Sequence, residues 1–247
     1  MVLLLQPATL APVQGVVFEG NRAVASDILL KALSRFVLGS GYTERSFRSA
    51  IELNLRPLYE QLGRLRAGFP SVTAISSGAG VQVKVSIEEG AVYRLGEVRV
   101  SGEDLPQEEM LRAAAFRRGE VADWRKITQS ISGMERVLRG RGHLAASSRP
   151  ERRFNDEASA VDLDIAVRKG PQFQFGELVL VGLAPDAEKR GRREFKLRPG
   201  DVLDEPYLDE FLKVFADTLN GGGSVSQELT VRPGTTTVDV KFTFRTR

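Results

Sequence analysis

One pattern constrains this chain more than any other. Three stretches, about eighty residues apart, alternate apolar and polar side chains: VQVKVSIEEG (81–90), VDLDIAVRKG (161–170) and VDVKFTFRTR (238–247). Period-two alternation marks a strand with one face buried. Val81, Val83, Val85 and Ile87 share a face, as do Val161, Leu163, Ile165 and Val167, and Val238, Val240, Phe242 and Phe244. A strand that recurs at fixed spacing belongs to a repeated module, which the rest of the chain must also show.

It does. Apolar runs closed by glycine recur as VQGVVFEGN (13–21), LGEVRVSG (95–102) and FGELVLVG (175–182). Two of them sit in a longer doubled phrase, EEGAVYRLGEVRVSG (88–102) and RKGPQFQFGELVLVG (168–182). Each module therefore begins with an apolar strand and ends with an alternating one. Between them the apolar period becomes helical. The faces are Ile28, Leu29, Ala32, Leu33 and Phe36, then Phe47, Ile51, Leu55 and Leu58 in the first module. Ile127, Ile131, Met134 and Leu138 follow in the second, and Leu208, Phe211, Leu212 and Phe215 in the third. Ser26, Thr43 and Asp123 stand where helix N-caps belong. Pro57 must kink or break its helix. The third module's first helix holds Gly191 and is expected to be short. Less regular stretches after each second helix read as a further strand.

The module order is thus β-α-α-β-β, an α+β fold. Each module is expected to be a small mixed three-stranded sheet covered on one face by two helices. The expected boundaries are a tail over 1–12 and modules over 13–90, 91–170 and 171–247.

Composition removes several classes. The 247 residues are 42% hydrophobic and 27% charged, as in folded proteins. The formal charge is only +3 and its basic residues form no stripe, so nucleic acid is not an expected partner. The absence of Cys excludes disulfides and thiolate chemistry. No run approaches the ~20 apolar residues of a membrane helix. MVLLLQPATLAP, with four consecutive apolar residues and no basic flank, is not an intact signal peptide. The chain is read as either cytoplasmic or cut from a longer precursor. His143, the only His, lacks a nucleophile or carboxylate constellation and is read as a turn residue. NGGGS (220–224) follows a helix instead of preceding one, so it reads as a connector, not a phosphate cradle. Trp124 is read as local packing before interface. No catalytic residue, metal ligand or cofactor site is expected.

From about Val13 to Phe244 the pattern resembles the POTRA domain. The matching features are a glycine after the first strand (Gly20, Gly102, Gly182), a glycine before the second helix (Gly41, Gly119, Gly200) and a glycine turn after it. LRGRGHL (138–144) is similar to the family's aromatic-x-x-x-Gly-Tyr turn, with His143 in the tyrosine's place. LYEQLGRL (58–65) carries Tyr59 and Gly63 at that spacing. The resemblance implies a first strand near the middle of each sheet and a second strand on an edge. It also implies the periplasmic arm of an Omp85-type outer-membrane protein, continuous with a C-terminal β-barrel absent from this chain. The implied partners are unfolded outer-membrane or secreted proteins and accessory assembly subunits. A two-partner secretion or cell-division scaffold is the alternative, and an enzyme of duplicated α/β units a distant one. KRGRRE (189–194) is read as a solvated helix or loop, close to the membrane surface if a barrel follows.

Two sets of residues are expected to matter. Ala145, Ala146, Ser147, Ser148 and Arg149, with Glu228, Leu229, Thr230, Val231 and Arg232, are candidate edge strands for pairing with an extended client. Thr230→Pro is expected to remove a docking donor there. Gly90, Tyr93, Gly96, Gly170, Phe173 and Gly176 are candidate inter-module hinges, with Tyr93 and Phe173 limiting the bend.

Overall fold

The computed structural model describes residues 10–218 and 224–245. NGGGS lies outside them except for Ser224. The first module runs β1 (Val13–Glu19), α1 (Ser26–Val37), α2 (Glu44–Asn54), α3 (Arg56–Gln61), β2 (Gly68–Ser77) and β3 (Gly80–Glu88). The second has β4 (Arg94–Ser101), α4 (Gln107–Ala114), α5 (Trp124–Arg139), β5 (Ser147–Asn155) and β6 (Ala160–Arg168). The third has β7 (Gln174–Val181), α6 (Pro185–Glu194), α7 (Glu205–Thr218), β8 (Ser224–Val231) and β9 (Thr237–Arg245).

Each module is a three-stranded sheet, with orders β1-β3-β2, β4-β6-β5 and β7-β9-β8. The first strand is therefore an edge, not a middle strand, which corrects the order expected from the resemblance. The alternating strand takes the centre because it pairs on both sides. β3 runs parallel to β1 and antiparallel to β2, and β9 runs parallel to β7 and antiparallel to β8. A short turn places β2 beside β3, and the helical crossover returns β3 parallel to β1. The central strands carry the core accordingly: Val83, Val85, Leu163, Ile165, Val238, Val240 and Phe242 are wholly buried.

The helices follow their sequence signals with two adjustments. α1 buries Leu29, Leu33 and Val37, while Ile28 and Phe36 are exposed, so the buried stripe is narrower than the apolar one. Its N-cap is Ala25, and Ser26 instead accepts a hydrogen bond from the Asn21 side chain. Thr43 Oγ1 does cap α2 by accepting from Ser46 N–H, and Asp123 Oδ1 accepts from Lys126 N–H at the start of α5. Pro57 breaks the second helix into α2 and α3. It occupies the first turn of α3, where a missing N–H costs no intrahelical bond. In α6, a side chain at Gly191 would press on Leu180 and Phe215 at 3.0 Å, so glycine there lets the helix lie close to the core.

By their contacts the residues form two compact units. One comprises the chain up to Val98, with Arg117–Gln129 and Arg152–Leu163; the other comprises Arg99–Phe116, Ser130–Glu151 and the chain from Asp164. In the first unit, α1, α2 and α3 bury Leu29, Leu33, Ile51, Leu55 and Tyr59 against Val83 and Val85. In the second, an aromatic core gathers Phe175, Phe195, Phe211, Phe215 and Phe242, with Phe211 and Phe242 stacked at 5.9 Å. The junction between modules one and two lies within the first unit, and that between modules two and three within the second.

Candidate functional site: sheet edges and module junctions

A sheet edge can recruit another chain only where its main-chain groups are free. In all three modules the N-terminal half of the first-strand edge is occupied by the loop between the helices. Val13 N–H donates to Ser40 O and Gly39 N–H to Val13 O. Leu95 N–H and Gly119 N–H repeat this with Glu120 O and Leu95 O, and Phe175 N–H and Gly200 N–H with Asp201 O and Phe175 O. These bonds make Gly39, not Gly41, the equivalent of Gly119 and Gly200. Further along β7, Arg192 Nη1 donates to Leu178 O at 2.9 Å.

The doubled Gly-Glu also finds its reason here. β7 bulges between Phe175 and Leu178, and a Cβ on Gly176 would meet Asp239 Oδ1 at 2.3 Å. In the second module, Asp162 Oδ1 lies 2.0 Å from where a Cβ on Gly96 would sit and accepts from Glu97 N–H at 2.7 Å. An aspartate on the alternating strand thus fills the space that only glycine leaves. Arg232 grips Asp239 through both Nε and Nη2, and this holds the Asp239 carboxyl below the usual carboxylate range. Gly96 and Gly176 are strand-packing positions, not linkers. Beside β7 a cleft of about 600 Å³ is lined by Phe175, Leu178, Phe195 and Leu197 together with Arg192 and Arg232, both of whose guanidinium groups are already paired.

The second-strand edges differ among themselves. β5 reads SSRPERRFN: Pro150 has no donor, and Arg149, Glu151 and Arg153 charge it. β5 also serves the first junction. Arg152 stacks on Trp124 at 3.4 Å and pairs with Glu60 of α3 at 2.9 Å. Arg66 covers Phe154 at 4.5 Å and pairs with Asp156 at 2.8 Å. Trp124 is therefore a junction residue. Of the expected edge residues, Ser147, Ser148 and Arg149 belong to β5, whereas Ala145 and Ala146 lie in the turn before it.

β8 carries neither proline nor a junction contact of that kind. Glu228, Leu229, Thr230 and Val231 lie on it, and Arg232 follows it. Its register with β9 is unbroken, and Arg232 N–H donates to Thr237 O. Antiparallel alternation then turns the N–H groups of Thr230, Glu228 and Ser226 toward β9. Those of Val231, Leu229, Gln227 and Val225 turn outward. Thr230→Pro would break the sheet's own ladder, so the expectation of a docking donor at Thr230 is corrected to its neighbours. The sequence reading passed over β2. Its stretch Ser71–Ser77 has no charge and no proline, and Val72, Ala74 and Ser76 turn outward by the same alternation from the Ser77–Gly80 turn. That uncharged run was the available signal.

The junctions are built alike. Gly63 ends α3 at φ +73°, and Gly142 follows α5 at φ +82°. Tyr93 N–H donates to Gly63 O at 2.8 Å, and Phe173 N–H to Gly142 O at 2.9 Å. In turn, Ala122 N–H donates to Tyr93 O and Leu203 N–H to Phe173 O. The following residue clasps the linker: Arg64 Nη1 donates to Gly90 O, and His143 Nδ1 lies 3.1 Å from Gly170 O. Tyr93 Oη donates to Asp156, which raises its pKa, and its ring meets Phe154 edge-on. Arg139 pairs with Glu205 at 2.6 Å across the second junction. Gly90, Tyr93, Gly170 and Phe173 thus sit inside main-chain clasps.

Residues 93–170 match the family model described as POTRA, surface antigen variable number repeat. The three modules share the tandem POTRA fold. Its fold is similar to that of POTRA domains 3–5 of BamA from Haemophilus influenzae, with a TM-score of 0.66 and 19% identity over 95% of this chain and 96% of that one. It is also similar to BamA from Haemophilus ducreyi lacking POTRA domains 1–3, with a TM-score of 0.53 and 18% identity over 63% and 30% of the two chains. In sequence it is 22% identical over 207 residues to a putative outer membrane protein assembly factor of Treponema pallidum (strain Nichols). That match takes in 79% of this chain and 25% of the relative, so the chain spans about a quarter of that relative's length. Among the described residues, no cluster of three or more His, Cys, Asp or Glu could hold a metal ion. No helix among them is long and apolar enough to cross a membrane, which leaves barrel strands undecided.

Proposed function

We propose that this chain is a periplasmic arm of an outer-membrane assembly or translocation protein and receives extended client segments by strand addition to β8. It acts by binding, without catalysis. The observation that carries this reading is the difference between the edges: the N-terminal halves of the first-strand edges are occupied, β5 is charged and interrupted, and the outward N–H groups of β8 run unbroken beside valine and leucine side chains, where those of β2 run beside Val72, Ala74 and Ser76. Backbone pairing has little sequence preference, which suits varied β-rich clients. The side chains beside the outward N–H groups favour a client that alternates. Val225 and Val231 are 39% and 47% exposed and Leu229 packs on the core, so apolar residues of the incoming strand would extend that face. Gln227 Oε1, on the same row, is buried without a hydrogen-bond partner.

The test is an NMR titration with a synthetic peptide alternating valine and threonine. Shifts should concentrate on Val225–Val231, and Val231→Pro should abolish them while leaving the β8–β9 ladder intact. Shifts on helix surfaces alone, or undiminished binding by the folded Val231→Pro protein, would overturn the assignment. Shifts confined to Val72–Ser76 would move the site to β2.

A further inference from the structure

Gln227 is the polar exception on an apolar face. The residues of β8 that share the core side of the sheet are Val225, Gln227, Leu229 and Val231, opposite Phe244, Phe242, Val240 and Val238 of β9. All four β9 partners are buried. Leu229 packs on the third module's core, as do Leu212 and Ala216 of α7, and Phe211 of α7 stacks on Phe242. Gln227 therefore stands beside Phe242, between a valine and a leucine. Its Oε1 is closed off from solvent and has no hydrogen-bond partner. A buried acceptor left unpaired costs free energy that a donor would return.

The other face of β8 makes no such demand. Glu228 pairs there with Lys241 at 3.1 Å, and Ser226 and Thr230 are exposed. Nor does β2. Val85 and Phe242 are each the third inward residue of their alternating strands, and Val72 faces Val85 where Gln227 faces Phe242. The place held by a glutamine in module three is thus held by a buried valine in module one.

We propose that Gln227 sets the side-chain preference of β8: a client strand docks best with an asparagine or glutamine facing Gln227 and apolar residues two places to either side. This rests on the reading of β8 as the receiving edge and adds a sequence requirement to it. An added strand brings its same-face Cβ to about 5 Å from that of Gln227, within reach of a carboxamide. The client amide donates to Oε1. Because a carboxamide both donates and accepts, it satisfies Gln227 whichever way either amide is turned, as in stacked glutamine ladders. A serine or threonine hydroxyl ends one bond beyond Cβ and reaches less far. A lysine donates too, but its charge must then be stripped of water. The client residues two places away face Val225 and Leu229, where apolar contact continues the rim of the core.

Two peptides decide it. Both alternate valine and threonine, and one has its central valine replaced by glutamine. Each is titrated into the whole chain and followed by NMR at Val225–Val231. The glutamine peptide should bind about tenfold more tightly than the valine peptide, and it alone should shift the side-chain amide signals of Gln227. Gln227→Val gives β8 the residue that β2 carries, and should reverse the order, with the valine peptide about tenfold tighter. Protected amides at Val240 and Phe242 report that the variant has folded; if it has not, Gln227→Met keeps the side-chain length and should reverse the order likewise. Equal binding of the two peptides at β8, or the same preference in wild type and folded variant, would overturn the role of Gln227 and leave strand addition standing. Shifts on β8 from neither peptide would overturn both.

Discussion

Gly142→Ala tests the junction most directly, because the structure supplies its own control. Gly142 and Gly200 both lie in the second compact unit, at φ +82° and +93°. Alanine at either position meets the left-handed penalty, roughly 1 kcal/mol. At Gly200 nothing lies within 4 Å of the new Cβ. At Gly142 the Cβ would meet Phe173 O at 2.7 Å, Val202 Cγ1 at 3.0 Å and Gln172 Cγ at 3.1 Å. The turn must withdraw, which weakens the bond from Phe173 N–H, about 1 kcal/mol. It also lifts Leu144 from the third module's core, for a further ~1 kcal/mol of partial exposure. The expected losses are therefore about 3 kcal/mol for Gly142→Ala and about 1 kcal/mol for Gly200→Ala. For a unit of roughly 120 residues these correspond to ~12 °C and ~4 °C in melting temperature by calorimetry. Hydrogen exchange at Phe173 should accelerate in Gly142→Ala alone. Equal losses, with Phe173 still protected in both variants, would refute the main-chain clasp.

Two further outcomes follow from a buried tyrosine and a half-buried tryptophan. Tyr59 is wholly buried, and burial, reinforced by the charge of Glu89, pushes its phenol up to about 12 from 10. The folded state favours the neutral phenol, so this contribution is complete below pH 10 and is lost as pH rises toward 12, by ~2–3 kcal/mol. Tyr59→Phe should remove that alkaline decline in denaturant titrations and cost little at neutral pH, because Tyr59 Oη has no hydrogen-bond partner. Arg152→Ala exposes the ring of Trp124, the single tryptophan. It should red-shift the emission and destabilise the first unit by about 1–2 kcal/mol, with the Glu60 carboxylate left unpaired.

The strands and helices were legible because burial writes a period into the sequence. Val238, Val240, Phe242 and Phe244 alternate, and that alternation gives the strand and its inward face. It does not give the neighbour, since a period of two is the same at the centre of a sheet and at its edge; the middle place expected for β1 came from the resemblance alone, and β1 lies at the edge. The covering of β1, β4 and β7 was invisible for a related reason. It uses main-chain groups of Ser40, Glu120 and Asp201, and a carbonyl leaves no mark on residue type. Asp162 and Asp239 could have been connected with Gly96 and Gly176, because both pairs recur together. Without coordinates nothing tells whether such an aspartate faces water or a bulge. The outward turn of Val231 and the inward turn of Thr230 depend on one bond at the hairpin, from Arg232 to Thr237.

The clasp between modules has a consequence for how such a chain lengthens. The bonds that both junctions share in the same form run from backbone to backbone, and the residue they share is a glycine, so the side chains around it are released to vary. Glu60 faces Arg152 at one junction and Arg139 faces Glu205 at the other, with the charges exchanged and the main-chain bonds the same. A gene duplication that breaks within the linker after Gly90 or Gly170 hands each copy a complete glycine turn at one end and a complete receiving strand at the other. A new copy arrives already able to join its neighbours, before any mutation has fitted the surfaces to each other. Divergence can then act on the sheet edges without first having to preserve the joint.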